Sequence, residues 1–180
     1  VNDYAFIVDD IIKKVTNKTK IIFIAQPNNP TGIYLDRKNL NKLLKRIPKR
    51  IMVVIDAAYS EFINNSDYTD GLNLVMKKRN IIVTHTFSKI YGLASLRLGW
   101  CAAPERIINL LDRIRGPFNV NQIAQVAGSA ALSDTSYEKK VIRHNTIWLK
   151  KFKSELAKFP LKVYDSQANF IFIKVRNATK

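Results

Sequence analysis

Apolar residues fall into short runs separated by charged, periodic stretches, and the two spacings predict strands alternating with helices. Phe6, Ile7, Ile11, Ile12 and Val15 recur at helical spacing, so residues 5–15 read as a short amphipathic helix. Residues 20–25 are rich in β-branched and aromatic types and predict a strand entering the turn Gln26-Pro27-Asn28-Asn29-Pro30-Thr31-Gly32. Asp36 can cap the next helix, whose Leu40, Leu43, Leu44 and Ile47 share one face before Pro48 stops it. A buried strand at 51–55 then ends on Asp56, and a loop at 64–71 and a short helix lead to a third strand at 80–84.

This β-helix-β alternation implies parallel neighbours joined by right-handed crossovers. The next strand, 97–103, follows a stretch too short for a parallel crossover, which takes about a dozen residues or more, so it is expected to run antiparallel. Pro104 opens a helix to residue 115, a further helix covers 119–132, and Ser133 or Asp134 caps a long helix reaching residue 159. Tyr137, Val141, Trp148, Phe152 and Leu156 share a face of that helix. Strands near 161–164 and 168–175 then begin a second, incomplete unit, because two strands and a helix rarely stand alone. The expected architecture is α/β, a mainly parallel sheet flanked by helices over residues 1–133, followed by a connecting helix and partial small α+β domain over 134–180.

Composition changes this picture little: 180 residues with 47% hydrophobic content are enough for a substantial core. The formal charge of +16 raises a nucleic-acid-binding α/β module without a cofactor as an alternative. Against it, the Lys and Arg are scattered along helices between apolar positions, as on a solvated face. Neither nucleic acid nor membrane is expected as a partner. Cys101 is the single cysteine, which excludes an internal disulfide and fits a cytoplasmic protein. No apolar run approaches the roughly 18 residues that span a bilayer, and the two histidines offer no metal site. His85, at a strand end, is expected in a packing or polar-network role, and His144 on the surface.

Chemistry-bearing side chains gather at the carboxyl ends of the predicted strands, the edge where open α/β sheets bind ligands. Asn29 follows the first strand, Asp56 and Tyr59 the second, and Thr86, Ser88 and Lys89 the third; Arg97 lies beyond a Gly-containing turn. Singly, each reads as an ordinary turn, packing or surface residue. Together they match the needs of an aldehyde cofactor that carries a phosphate and a pyridine ring.

The segments Pro27-Asn28-Asn29-Pro30-Thr31-Gly32, Asp56-Ala57-Ala58-Tyr59 and Thr86-Phe87-Ser88-Lys89 with Arg97 resemble the signature of fold-type-I pyridoxal-phosphate-dependent aminotransferases. Within that group, Pro117-Phe118-Asn119-Val120-Asn121 and Ala168-Asn169-Phe170 look most similar to histidinol-phosphate aminotransferases. The resemblance implies pyridoxal 5'-phosphate as cofactor, with Lys89 forming its Schiff base and then moving the substrate proton. It implies Asp56 against the pyridine nitrogen, Tyr59 and Asn29 on the phenolic oxygen, and Thr86, Ser88 and Arg97 on the phosphate. The partners implied are a small-molecule amino donor and a 2-oxo acid acceptor, histidinol phosphate and 2-oxoglutarate, in a homodimer.

An aromatic or broad-specificity aminotransferase, or a phosphothreonine decarboxylase-like enzyme, would keep the same cofactor residues. The sequence departs from the family at Ala57, where Glu is common, at Gln26 for Asn and at Ser95 for Gly. It begins with Val1 and lacks the family's upstream phosphate turn and C-terminal substrate arginines. The chain is therefore expected to be truncated at both ends and to have little activity alone.

Overall fold

The computed structural model describes residues 4–77 and 80–175. Helix α1 (Val8–Lys14) precedes strand β1 (Ile21–Ala25), and helix α2 (Arg37–Arg46) leads to strand β2 (Met52–Asp56). Asp36 caps α2 by accepting from the Asn39 N–H at 2.7 Å, satisfying one of the donors a helix start leaves unpaired. A 3-10 turn (Ser60–Phe62) and helix α3 (Leu72–Val75) follow, then strands β3 (Ile81–Thr86) and β4 (Gly99–Ala102), with a second 3-10 turn (Ala94–Leu96) between them.

The sheet order is β1-β2-β3-β4, parallel across β1, β2 and β3 and antiparallel at β4, as the short connection required. Strand β3 runs two residues beyond its expected end, so Thr86 is its last residue and not part of the loop. The extension follows from pairing with β4, which matches His85 to Trp100 and Thr86 to Gly99.

One face of the sheet carries the main core, where Ile24, Ile55 and Val83 meet Leu40 and Leu43 of α2. Leu40 and Leu43 are fully buried, and each such side chain contributes about 2 kcal/mol of apolar burial. On the opposite face Val54 and Ile82 pack on Ile107 of helix α4 (Glu105–Ile114).

Asn121 caps helix α5 (Gln122–Ser133), and Asp134 caps the long helix α6 (Thr135–Leu156). A two-stranded sheet, β5 (Lys162–Val163) with β6 (Ile173–Lys174), closes the described chain. β6 is shorter than the strand expected at 168–175: Ala168 and Phe170 instead pack with Tyr59, Phe62 and Ile90. That third cluster, which also takes Val141 and Ile142, draws α6 over the loops at the carboxyl end of the main sheet. The aromatic face of α6 is left largely open, with Trp148 42% and Phe152 53% exposed.

Candidate active site

Parallel register sets the site's frame. Asp56, the last residue of β2, is aligned with Ala25 on β1 and Thr84 on β3, so the turns that follow all emerge on the same edge of the sheet. The Asp56 side chain is exposed and accepts from the Ala58 N–H at 3.2 Å, which shapes the turn into Tyr59. Residues 28–32 close their own turn: Gly32 N–H donates to the Asn28 carbonyl at 2.6 Å, and Asn28 accepts from the Thr31 hydroxyl at 2.9 Å. Gly32 sits at φ +75°, where an added Cβ would meet the Ser166 Oγ at 2.0 Å, so the site needs glycine there.

Asn29, Tyr59 and Lys89 come together. Asn29 Nδ2 donates to the Tyr59 hydroxyl at 3.1 Å, which leaves the phenol's own hydrogen free to donate onward. Lys89 Nζ lies 5.3 Å from the Tyr59 ring centroid, within cation–π range. The Tyr59 ring is buried and packs edge-on against Phe170 at 5.2 Å, so the phenol is fixed while Asn29 and Lys89 face solvent.

Thr86 and Ser88 meet through the backbone, the Thr86 Oγ1 accepting from the Ser88 N–H at 3.1 Å. The loop between them and β4 is pinned by Phe87 N–H to the Leu98 carbonyl at 3.1 Å and Leu93 N–H to the Phe87 carbonyl at 2.9 Å. Arg97 holds φ 54°, a left-handed conformation uncommon for a side-chain-bearing residue, and its Nη1 donates to the Ala94 carbonyl at 2.8 Å. Among the described residues neither Asp56 nor Arg97 hydrogen-bonds to Lys89 or Tyr59. These two are linked to the others by the sheet and its loops, not by contact.

A polar layer beneath these loops escaped the sequence reading in all but one residue. His85 is buried, with Nδ1 3.0 Å from Glu61 Oε1 and Nε2 3.4 Å from Asp70 Oδ2. Burial alone would depress its pKa, but bonding to Asp70 and Glu61 outweighs that and raises it to about 9. Burial would likewise raise Asp70, yet His85 and the Leu72 N–H hold it below the usual carboxylate range. Burial first, and then the charges of Asp70 and Glu61, push Tyr68 well up, and its hydroxyl donates to the Gln26 carbonyl at 2.8 Å. Gln26 Nε2 in turn donates to the Thr69 carbonyl at 2.7 Å. Only His85, at a strand end, carried a readable signal; Glu61 and Asp70 come from distant segments.

Also unforeseen is an apolar groove of about 740 Å³ beside Lys89, lined by Phe62, His144, Trp148, Phe152 and Phe170. His144 is on the surface, as expected. No group of His, Cys, Asp or Glu able to hold a metal ion occurs among the described residues, nor a helix long and apolar enough to cross a membrane.

The carboxyl edge of this α/β sheet thus presents an amine over a phenol, a carboxylate at the end of β2, and hydroxyls in the loop that leads to a guanidinium-bearing turn. The family model described as aminotransferase class I and II matches residues 1–180. The chain belongs to the class I and II aminotransferases. It is 48% identical over 166 residues, 92% of the chain, to histidinol-phosphate aminotransferase of Pelagibacter ubique. Its identity to the Maricaulis maris histidinol-phosphate aminotransferase is 43%, over 95% of the chain. It spans about half the length of these relatives, 46% and 47%. The crystal structure of histidinol-phosphate aminotransferase from Sinorhizobium meliloti in complex with pyridoxal-5'-phosphate superposes with a TM-score of 0.89 at 26% identity. That match covers 96% of this chain and 47% of the other.

Proposed function

We propose that this chain is the cofactor-binding core of a pyridoxal-phosphate-dependent transaminase whose whole form exchanges an amino group between histidinol phosphate and 2-oxoglutarate. The observation that carries the reading is the Asn29–Tyr59 hydrogen bond with the Lys89 amine over the same ring. The substrate follows from the names of its relatives, and the donor set fits the cofactor.

When bound, pyridoxal phosphate supplies an aldehyde that condenses with amines and a protonated pyridine ring that accepts electron density. Lys89 Nζ is the only amine among the candidate groups; it would anchor the cofactor's aldehyde carbon and, as a free base, could move the proton at the substrate α-carbon. The Asp56 carboxylate would favour a proton on the pyridine nitrogen by charge. Tyr59, its ring buried and its hydroxyl hydrogen free, would donate to the phenolic oxygen, with Asn29 beside it as a second donor. Thr86 and Ser88 hydroxyls and the Arg97 guanidinium would hold the phosphate, a group that suits a fork of N–H donors.

Residues 1–133 serve as the cofactor-binding domain and 134–180 as the connecting helix and start of a small domain. The whole protein acts as a cytoplasmic homodimer. The test is borohydride reduction of the chain with pyridoxal phosphate, followed by peptide mass spectrometry. The adduct is expected on Lys89 and is lost in Lys89→Ala; labelling spread evenly over the many lysines would overturn the assignment.

A further inference from the structure

His85 links two of the site's loops from the buried layer beneath them. Its strand runs directly into Thr86, Ser88 and Lys89, while Glu61 lies two residues beyond Tyr59 on the adjoining turn. Its other nitrogen faces Asp70, in a loop that reaches the base of the Asn29 turn through Tyr68 and Thr69 to Gln26. Three of the turns bearing candidate ligands, all but that of Arg97, are thus tied to one buried imidazole. We propose that His85, as an imidazolium clasped between Glu61 and Asp70, is a positioning residue that holds Tyr59 and Lys89 in their mutual geometry.

The chemistry favours the cation. An imidazole carries hydrogens on both nitrogens only when protonated, and both nitrogens face carboxylates here: Nδ1 is hydrogen-bonded to Glu61, and Nε2 lies at ion-pair distance from Asp70 without a hydrogen bond. Deprotonation would leave two carboxylates at 3.0 Å and 3.4 Å from a neutral ring, in a site where water compensates poorly. The flat stacking of the His85 ring on Trp100, centroids 4.3 Å apart, restrains it from swinging away, and Ser60 Oγ lies 3.3 Å from Nδ1. The charged and titratable groups around it are Glu61 on the 3-10 turn and Tyr68 and Asp70 on the adjoining loop. Arg37 reaches that loop from α2, donating to the Ser66 and Tyr68 carbonyls. None of the candidate cofactor ligands contacts the imidazole directly, so His85 acts through the turns.

This inference rests on reading Tyr59 and Lys89 as cofactor ligands, and its test separates the two. The full chain is titrated from pH 6 to 10 by NMR, where His85 and His144 are the two histidines, following the ring of each and the Asn29 side-chain amide. Absorbance of bound pyridoxal phosphate is followed in parallel. In wild type the His85 ring titrates near pH 9, and the Asn29 amide shifts with the same midpoint. His85→Gln shows the high-pH amide position already at pH 7 and binds the cofactor roughly tenfold more weakly, as loss of charge-assisted bonds predicts. His85→Arg, permanently charged, abolishes the step and restores binding. Should the Gln variant fail to fold by circular dichroism, the missing step in the Arg variant carries the test. An Asn29 amide indifferent to residue 85, or an Arg variant behaving like Gln, overturns the inference. An amide step without any bound cofactor upholds the clasp and sinks the cofactor reading instead.

Discussion

The Lys89 ammonium lies 5.3 Å above the Tyr59 ring whose hydroxyl accepts from Asn29, so three segments far apart in sequence share one point in space. Tyr59 is the hub of that arrangement because its ring is buried and its oxygen is not consumed by the fold. Tyr59→Phe keeps the edge-on packing on Phe170 and removes only the hydroxyl. It is expected to change stability by less than about 1 kcal/mol, since the lost bond is to an exposed amide. Binding of pyridoxal phosphate, measured by absorbance titration, weakens several-fold, and an unchanged affinity would remove Tyr59 from the site.

Stability should carry the signature of the buried imidazole. The folded pKa of His85 is raised from 6.5 to about 9, so its contribution is complete below about pH 6.5 and is lost as pH climbs through 9. Allowing for the solvent reach of Asp70, the loss amounts to roughly 2 kcal/mol. Thermal unfolding between pH 6 and 10 measures it, and His85→Arg should flatten the upper part of the profile. A melting temperature that rises over that interval contradicts the network.

Ile55 sits at the centre of the sheet's main core with no exposed surface. Ile55→Ala is expected to cost about 3 kcal/mol, the transfer term plus a cavity that the surrounding strands cannot close. Urea denaturation reads this directly. A cost under about 1 kcal/mol would mean the core is looser than described.

Gly32 and residue 166 approach so closely that any side chain at 32 collides with Ser166 while the backbone stays left-handed. Gly32→Ala should destabilise by about 2 kcal/mol and weaken cofactor binding as well, because the Asn29 turn must move. If Ser166→Gly rescues part of that loss, steric contact is the cause; no rescue assigns it to the backbone alone.

Asp36→Ala removes the α2 cap and should cost about 1 kcal/mol with no effect on cofactor affinity. It serves as a control that separates general destabilisation from damage to the site. Reduced affinity in this variant, measured well below its melting temperature, would show that stability and binding are coupled throughout the sheet.

The elements of this chain were legible in the sequence because their causes are local. Continuous runs of β-branched and aromatic residues make strands, Asp36 and Asp134 start helices through their own side chains, and the short stretch before β4 forces an antiparallel return. The candidate ligands were named from their places at strand ends and from the family resemblance, and of them the structure brings Asn29, Tyr59 and Lys89 together. Tertiary structure alone decided which side chains meet. Glu61 and Asp70 gave no signal, because their partnership with His85 depends on the register of β2 and β3 and on where the 66–71 loop falls. The aromatic face of α6 was visible as a stripe, but its exposure beside Lys89 was not: periodicity tells which residues share a face, and only packing tells whether anything covers it.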